Sequence, residues 1–573
     1  MNLLTSGWRP WWLDLRSLAA SRMLLALCVL VDVALRLPFA WAFYSDSGVF
    51  PRQAALSSGL VWSPFFVSGS VLWAGALFGL IGVLAAGLLI GWRARFCALL
   101  LAVLTTGVHL RNPYVNNAGD VLLSVGLAWF ALLPVSACWS LDRARVRSPG
   151  ASLLSGMYRA PAALGLTVQM GLTYLLNHFY KTDPVWLGGQ AVTQVLTRHL
   201  YSRDHLAAAA ATLPAPLLTL LARSVWWLEF AALFLLLVPS QLVRLLVVAA
   251  LIGLHLGFAG LLSIGLFPFV CVSLLVSLLP SGVWQGRGGV PYLYRQGSRR
   301  GYRLALLQRS LAGDERGPVR PAARLLRGGW WSALRRGPFF WPFLAPTLLF
   351  AAGKVLLARP GRPLFRTARG RWLRAALGRR CWSVVNAARP GRLLPGRRKW
   401  ALGLLLTLGV PVYNLVDYWQ LLPSGVSSAA FSVGLGQRWA LFAPSPRYRD
   451  GYFVIKGHGD HGLEYDLFRW LVLHRSDLPS AHVEMGDALG AGFLGFRSEI
   501  MRKFFEASVN QPGQGVLRSA VRDALCREAR RAGQPVRLVS FTFMEYRGAG
   551  DDTVPRETAV LPCRAVLKSV PAR

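Results

Sequence analysis

The chain has 573 residues, 54% of them hydrophobic, with 22 Trp, 29 Phe and a mean hydropathy of +0.41, values too apolar for a soluble protein of this size. A formal net charge of +37 would suit nucleic acid, but no nucleic-acid-binding motif accompanies it and most of the charge sits in one loop between apolar spans, so nucleic acid is excluded as a partner. The seven cysteines are scattered, without metal-ligand spacing, and no metal is expected.

The fold expected is an all-α polytopic membrane protein of about nine transmembrane helices, followed by an extracytoplasmic α+β domain. Residues 1–17, aromatic and basic with no cleavage site after the first apolar run, read as a cytoplasmic N-terminal segment. Eight spans fill residues 18–279, near 18–37, 71–90, 96–110, 121–135, 162–179, 217–238, 242–262 and 268–279. In the first, Asp32 and Arg36 stand four apart and share a helix face, so they can neutralise each other. The turn-rich FYSDSGVFPR (43–52) and the polar HLRNPYVNNAGD (109–120) interrupt the pattern. The latter either lines a cavity or is a solvated loop.

The fifth span ends in QMGLTYLLNHFYKTDPVWLGG (169–189), where Asn177, His178, Tyr180, Lys181 and Asp183 fall within seven residues and Trp186 closes the group. An ammonium on an apolar helix end either snorkels to water or sits buried as a base, and spacing alone leaves both open. Residues 187–216 contain no span and lie along the surface. The sixth and seventh spans carry Glu229 and His255, ionisable groups at membrane depth that serve either function or helix–helix glue.

Residues 280–399 form a basic loop with 26 Lys and Arg against Asp314 and Glu315. Its apolar stretch 339–358, broken by two prolines and Lys354, reads as interfacial, though it competes with a span. A ninth span covers 400–422. The short basic turns and the long loop fall on one side of this count, which places them in the cytoplasm and the C-terminal region outside a cell membrane crossed many times. Residues 423–573 then alternate at period two in YFVIKGH and RLVSFTFMEYR, as strands do, and are amphipathic in EIMRKFFEAS and VLRSAVRDALCREARRAG, as helices are. Cys526 and Cys563 are the two cysteines there, and an extracytoplasmic setting favours a disulfide between them.

No Walker loop, GxSxG or HExxH is present. The outer-side site candidates are His109, Asn116, Asn117, Asp120, Lys181, Asp183, Glu229 and His255, with Trp186 at their edge. At these residues FYSDSGVFPR, HLRNPYVNNAGD, NHFYKTDPVW and GLHLGFAGLLSIGLFPF together resemble the horizontally transferred transmembrane (HTTM) domain family, which includes bacterial relatives of vitamin K-dependent γ-carboxylase. The resemblance covers about 18–279, and WALFAPSPRYRDGYFVI (439–455) resembles the tail of many bacterial members. By position it implies Lys181 as the catalytic amine, flanked by Asp183 and Trp186, with His255 as the seventh-span histidine. It further implies a reduced quinone of the vitamin K or menaquinone type, oxygen, and an extracytoplasmic peptide or protein as acceptor, ending in quinone epoxide and γ-carboxyglutamate. A non-catalytic member binding a lipid or peptide, as in export or immunity, and a transporter are the alternatives.

Overall fold

A computed structural model describes this chain within residues 12–284 and 397–563, apart from short breaks and the longer stretch 467–498. Most of the basic loop, with its apolar stretch 339–358, lies outside the described residues.

The first helix, α1 (Leu15–Arg36), begins where Asp14 accepts a hydrogen bond from the Arg16 amide at 2.8 Å. It is preceded by β1 (Trp12–Asp14), which pairs antiparallel with β2 (Met157–Arg159), a ribbon that composition did not announce. Ser70 caps α2 (Val71–Ile90), which ends at Gly91 in the left-handed region (φ 72°), and after the tight basic turn α3 (Ala94–Arg111) returns. Asn117 starts α4 (Ala118–Leu132) through a capping box, in which Asp120 reaches back to the Asn117 amide at 2.7 Å.

The next helix is α5 (Pro161–Tyr180), and three short helices (Val185–Gly188, Ala191–Thr197, Asp204–Ala211) follow where no span was expected. The chain then builds α6 (Ala215–Leu237), α7 (Gln241–Leu261), α8 (Phe267–Val276) and α9 (Arg397–Tyr418). Helix α5 is the central one for the site, packed on both α6 and α9. Gly171 makes the α5–α6 approach: a Cβ there would stand 2.6 Å from Leu233 Cδ1, so only a small residue admits this spacing.

Five helical segments among the described residues are long and apolar enough to cross a membrane: Leu15–Tyr44, Val71–Ile90, Ala94–Arg111, Ala215–Leu237 and Gln241–Leu261. The expected count of nine is thus reached only in part. Helices α4 and α8 are apolar but have 15 and 10 residues, and at 1.5 Å per residue ten residues span about half of a ~30 Å hydrocarbon core. On α6 and α7 large apolar side chains such as Trp227, Phe234, Leu246 and Leu256 are exposed, as lipid-facing helices require.

Beyond α9 the fold is mixed. Strands β3 (Gly451–Gly459), β4 (Glu464–Asp466), β5 (Val536–Tyr546) and β6 (Thr553–Pro562) form an antiparallel sheet in the order β4-β3-β5-β6. Helices α10 (Glu499–Asn510) and α11 (Gly515–Arg531) pack beside it. Cys526 on α11 is bridged to Cys563 just past β6, with Cα atoms 5.8 Å apart. This region docks on the helices: the Phe504 ring lies 4.8 Å from that of Phe43, and Arg527 donates to the Gly48 carbonyl.

Candidate functional site

At the end of α5 the residues Tyr174, Asn177, His178 and Lys181 follow helical spacing, so one face of the last two turns is polar. Lys181 leaves the helix with its amide still bonded to the His178 carbonyl at 3.0 Å, and its side chain turns inward. Its Nζ donates to Glu229 Oε2 on α6 at 2.6 Å, and both residues are buried, at 5% and 3% exposure. Asn177 Nδ2 donates to the other carboxylate oxygen at 3.0 Å, while Asn177 Oδ1 accepts the Leu441 amide at 2.7 Å. The Trp186 ring covers the ammonium, its centroid 3.9 Å from Nζ, in cation–π geometry. The Trp186 indole N–H in turn donates to the Phe442 carbonyl at 3.3 Å.

Sequence proximity pointed to Asp183 as the nearest carboxylate to Lys181, and the structure places it elsewhere. Asp183 Oδ1 accepts the Val185 amide at 2.9 Å and so starts the short helix that carries Trp186. An amine acting alone as base would sit apart from any carboxylate, whereas this one touches Glu229. The pair is neutral overall and offers a ligand both a cation and a proton acceptor.

Beside the pair lies a cavity of about 280 Å³, near the small end of the ~300–1,000 Å³ usual for ligand pockets. Its lining is mostly apolar, with Phe258, Phe267 and Phe442 among the aromatic walls, and it includes Asn117, Lys181, Trp186, Glu229 and His255. His255 is 1% exposed, and its Nε2 lies 2.8 Å from the Tyr174 hydroxyl. Its Nδ1 is buried without a hydrogen-bond partner among the described residues. Burying a ring nitrogen in that state is costly, so the position suits a ligand atom that completes it. The C-terminal region contributes the wall formed by Leu441 and Phe442, and Arg502, Lys503 and Glu506 from α10.

The remaining candidates form a second group. Arg36 binds Asp32 at 2.8 Å, Asp120 at 2.7 Å and the Tyr44 hydroxyl at 2.8 Å, and Asn116 Oδ1 is 3.5 Å away. His109 Nδ1 meets the Ser124 hydroxyl at 3.1 Å, and its Nε2 stands 3.8 Å from Asp120. Asp32, His109 and Asp120 each offer an atom within 4.8 Å of the others, a spacing that suits a metal ion. The Arg36 guanidinium already bonds both carboxylates and supplies the positive charge there. Asp120 and Asn117 join the two groups, since the capping box that Arg36 steadies also holds Asn117 at the cavity wall. Tyr174, Leu441 and Phe442 escaped sequence reasoning. The helical spacing of Tyr174 with Asn177 and Lys181 was the one usable signal among them.

No curated protein and no solved structure matches the chain. The HTTM domain model matches residues 11–284, the part that holds Lys181, Glu229, His255 and the Arg36 group, and the chain therefore carries an HTTM domain.

Proposed function

We propose that the cavity holds the ring of a reduced quinone of the vitamin K or menaquinone type, and that the protein carries out carboxylase-like, quinone-epoxidising chemistry at Lys181. The observation that carries this reading is one aromatic-walled cavity lined both by the Lys181–Glu229 pair and by His255, whose Nδ1 lacks a partner among the described residues. A ring with an oxygen at each end offers a partner to both of these polar positions within one mostly apolar cavity, and the cavity volume suits a head group rather than a whole isoprenoid lipid. Such a ligand supplies, with dioxygen, the reducing power and the strong oxygen base that the chemistry needs. The chain's own residues orient the ring, exclude water through Trp186 and Phe442, and manage one hydroxyl proton at Lys181 and Glu229.

The orientation that goes with this reading puts the basic loop and the N-terminus in the cytoplasm and the C-terminal region outside the cell membrane. Loop charge supports it, as does the Cys526–Cys563 bridge, because disulfides persist in oxidising compartments. Any peptide or protein acceptor then approaches from the side of α10. The ion pair favours a second reading, a non-catalytic site for a lipid or peptide, because an ammonium bonded to a carboxylate already has a structural role. Anaerobic binding of reduced phylloquinone, followed by admission of oxygen, separates the two. Binding followed by epoxide supports catalysis, binding alone supports the second reading, and no binding removes the quinone assignment.

A further inference from the structure

We infer that Glu229 is the proton acceptor of this site, with Lys181 as the cation that holds the resulting oxyanion. This inference rests on the reading of the cavity as a site for a phenolic ring. The two residues exchange one ionic contact for another. Before binding, the ammonium of Lys181 donates to Glu229 Oε2 at 2.6 Å. When a ligand hydroxyl enters, its O–H bond breaks, the proton forms a bond to the Glu229 carboxylate, and the electron pair stays on the ligand oxygen. The ammonium then faces that oxyanion. One negative charge moves from Glu229 to the ligand, the total charge in the cavity is unchanged, and no buried charge is left alone at any point.

The surroundings fit this exchange better than a neutral lysine acting alone. Asn177 is fixed at both ends, by the Leu441 amide at 2.7 Å and Glu229 Oε1 at 3.0 Å, so the carboxylate stays in place when the lysine bond is given up. The Trp186 ring, 3.9 Å from Nζ, keeps the amine in its charged form company throughout, since an aromatic face attracts a cation and gains nothing from a free amine. Asp183, the sequence neighbour that would compete as acceptor, is held by the Val185 amide and does not line the cavity. Asn177 is thus a positioning residue, and the 441–442 segment, beyond the HTTM domain, is what positions it.

The test is infrared difference spectroscopy on the full-length protein in detergent, with and without 1-naphthol, a phenol that resembles the ring of a reduced naphthoquinone and does not react with oxygen on this time scale. The expected result is a new protonated-carboxyl C=O band on binding. It should shift in D2O, shift again in protein grown with ¹³C-glutamate, and vanish in Glu229→Gln. Bound naphthol with no new carboxyl band, or a band that follows ¹³C-aspartate, overturns the assignment while leaving the phenol site intact. If wild-type protein binds neither naphthol nor a reduced naphthoquinone, the phenol site itself fails and the inference with it. Glu506, the other glutamate of the cavity lining, carries the same label, so the band should persist in Glu506→Gln; its loss there overturns the assignment, and this control serves even if Glu229→Gln does not fold.

Discussion

Removing one member of the Lys181–Glu229 pair should cost far more than removing both. At 2.6 Å and an effective dielectric of about 20, their attraction is on the order of 6 kcal/mol. Desolvation offsets much of that, so the net cost of breaking the pair from one side is ~3–5 kcal/mol, against about 5–15 kcal/mol for the whole stability of an ordinary domain. Lys181→Met leaves a carboxylate with Asn177 as its remaining hydrogen-bond partner among the contacts described. Glu229→Gln leaves an ammonium with the Trp186 face, worth roughly 0.5–2 kcal/mol. The double variant removes both charges and keeps the Asn177 bond to the side-chain oxygen. It should recover to within ~1–2 kcal/mol of wild type. Equilibrium unfolding in mixed micelles at neutral pH measures all four corners of this cycle. Single costs below about 1 kcal/mol, as for an exposed pair, or a double cost equal to the sum of the singles, would refute the buried-pair reasoning.

Two further outcomes follow from the C-terminal region and the topology. Replacing Cys526 and Cys563 by Ala opens a closure spanning 37 positions and should destabilise that region by up to ~4 kcal/mol. Quantitative alkylation of both thiols in unreduced protein from cells would contradict the bridge. An engineered cysteine at Asp450 should react with an impermeant reagent added outside the cell, while one at Arg320 should not, and the reverse pattern would invert the proposed orientation.

Much of the helical framework was legible in the sequence, because apolar runs bounded by Ser, Asn and Gly caps encode helix limits locally. The Asp32–Arg36 contact was legible for the same reason, being one turn apart on one helix. The strand segments around 452–458 and 537–547 announced themselves by alternation. The partner of Lys181 was not legible. Glu229 is 48 residues away on another helix, and nothing in linear spacing favours it over Asp183, which a local turn diverts to a backbone amide. The division of the polar candidates into two groups depends on how α1, α3 and α4 meet, which composition does not record. The 439–445 stretch was read as part of a separate domain, 423–573. Its backbone instead binds Asn177 and Trp186 at the cavity, because short irregular segments carry no periodicity from which burial can be inferred.

A cavity that binds a reduced quinone and needs Lys181 for what happens there should reveal itself by its product. The most direct measurement incubates purified protein with reduced phylloquinone or menaquinone and oxygen, and quantifies quinone epoxide by mass spectrometry for wild type and Lys181→Ala. Wild type should give epoxide well above a protein-free mixture, and a folded Lys181→Ala variant none above that background. Epoxide at background with wild type, or equal amounts from the two proteins, would contradict this role of the cavity and of Lys181.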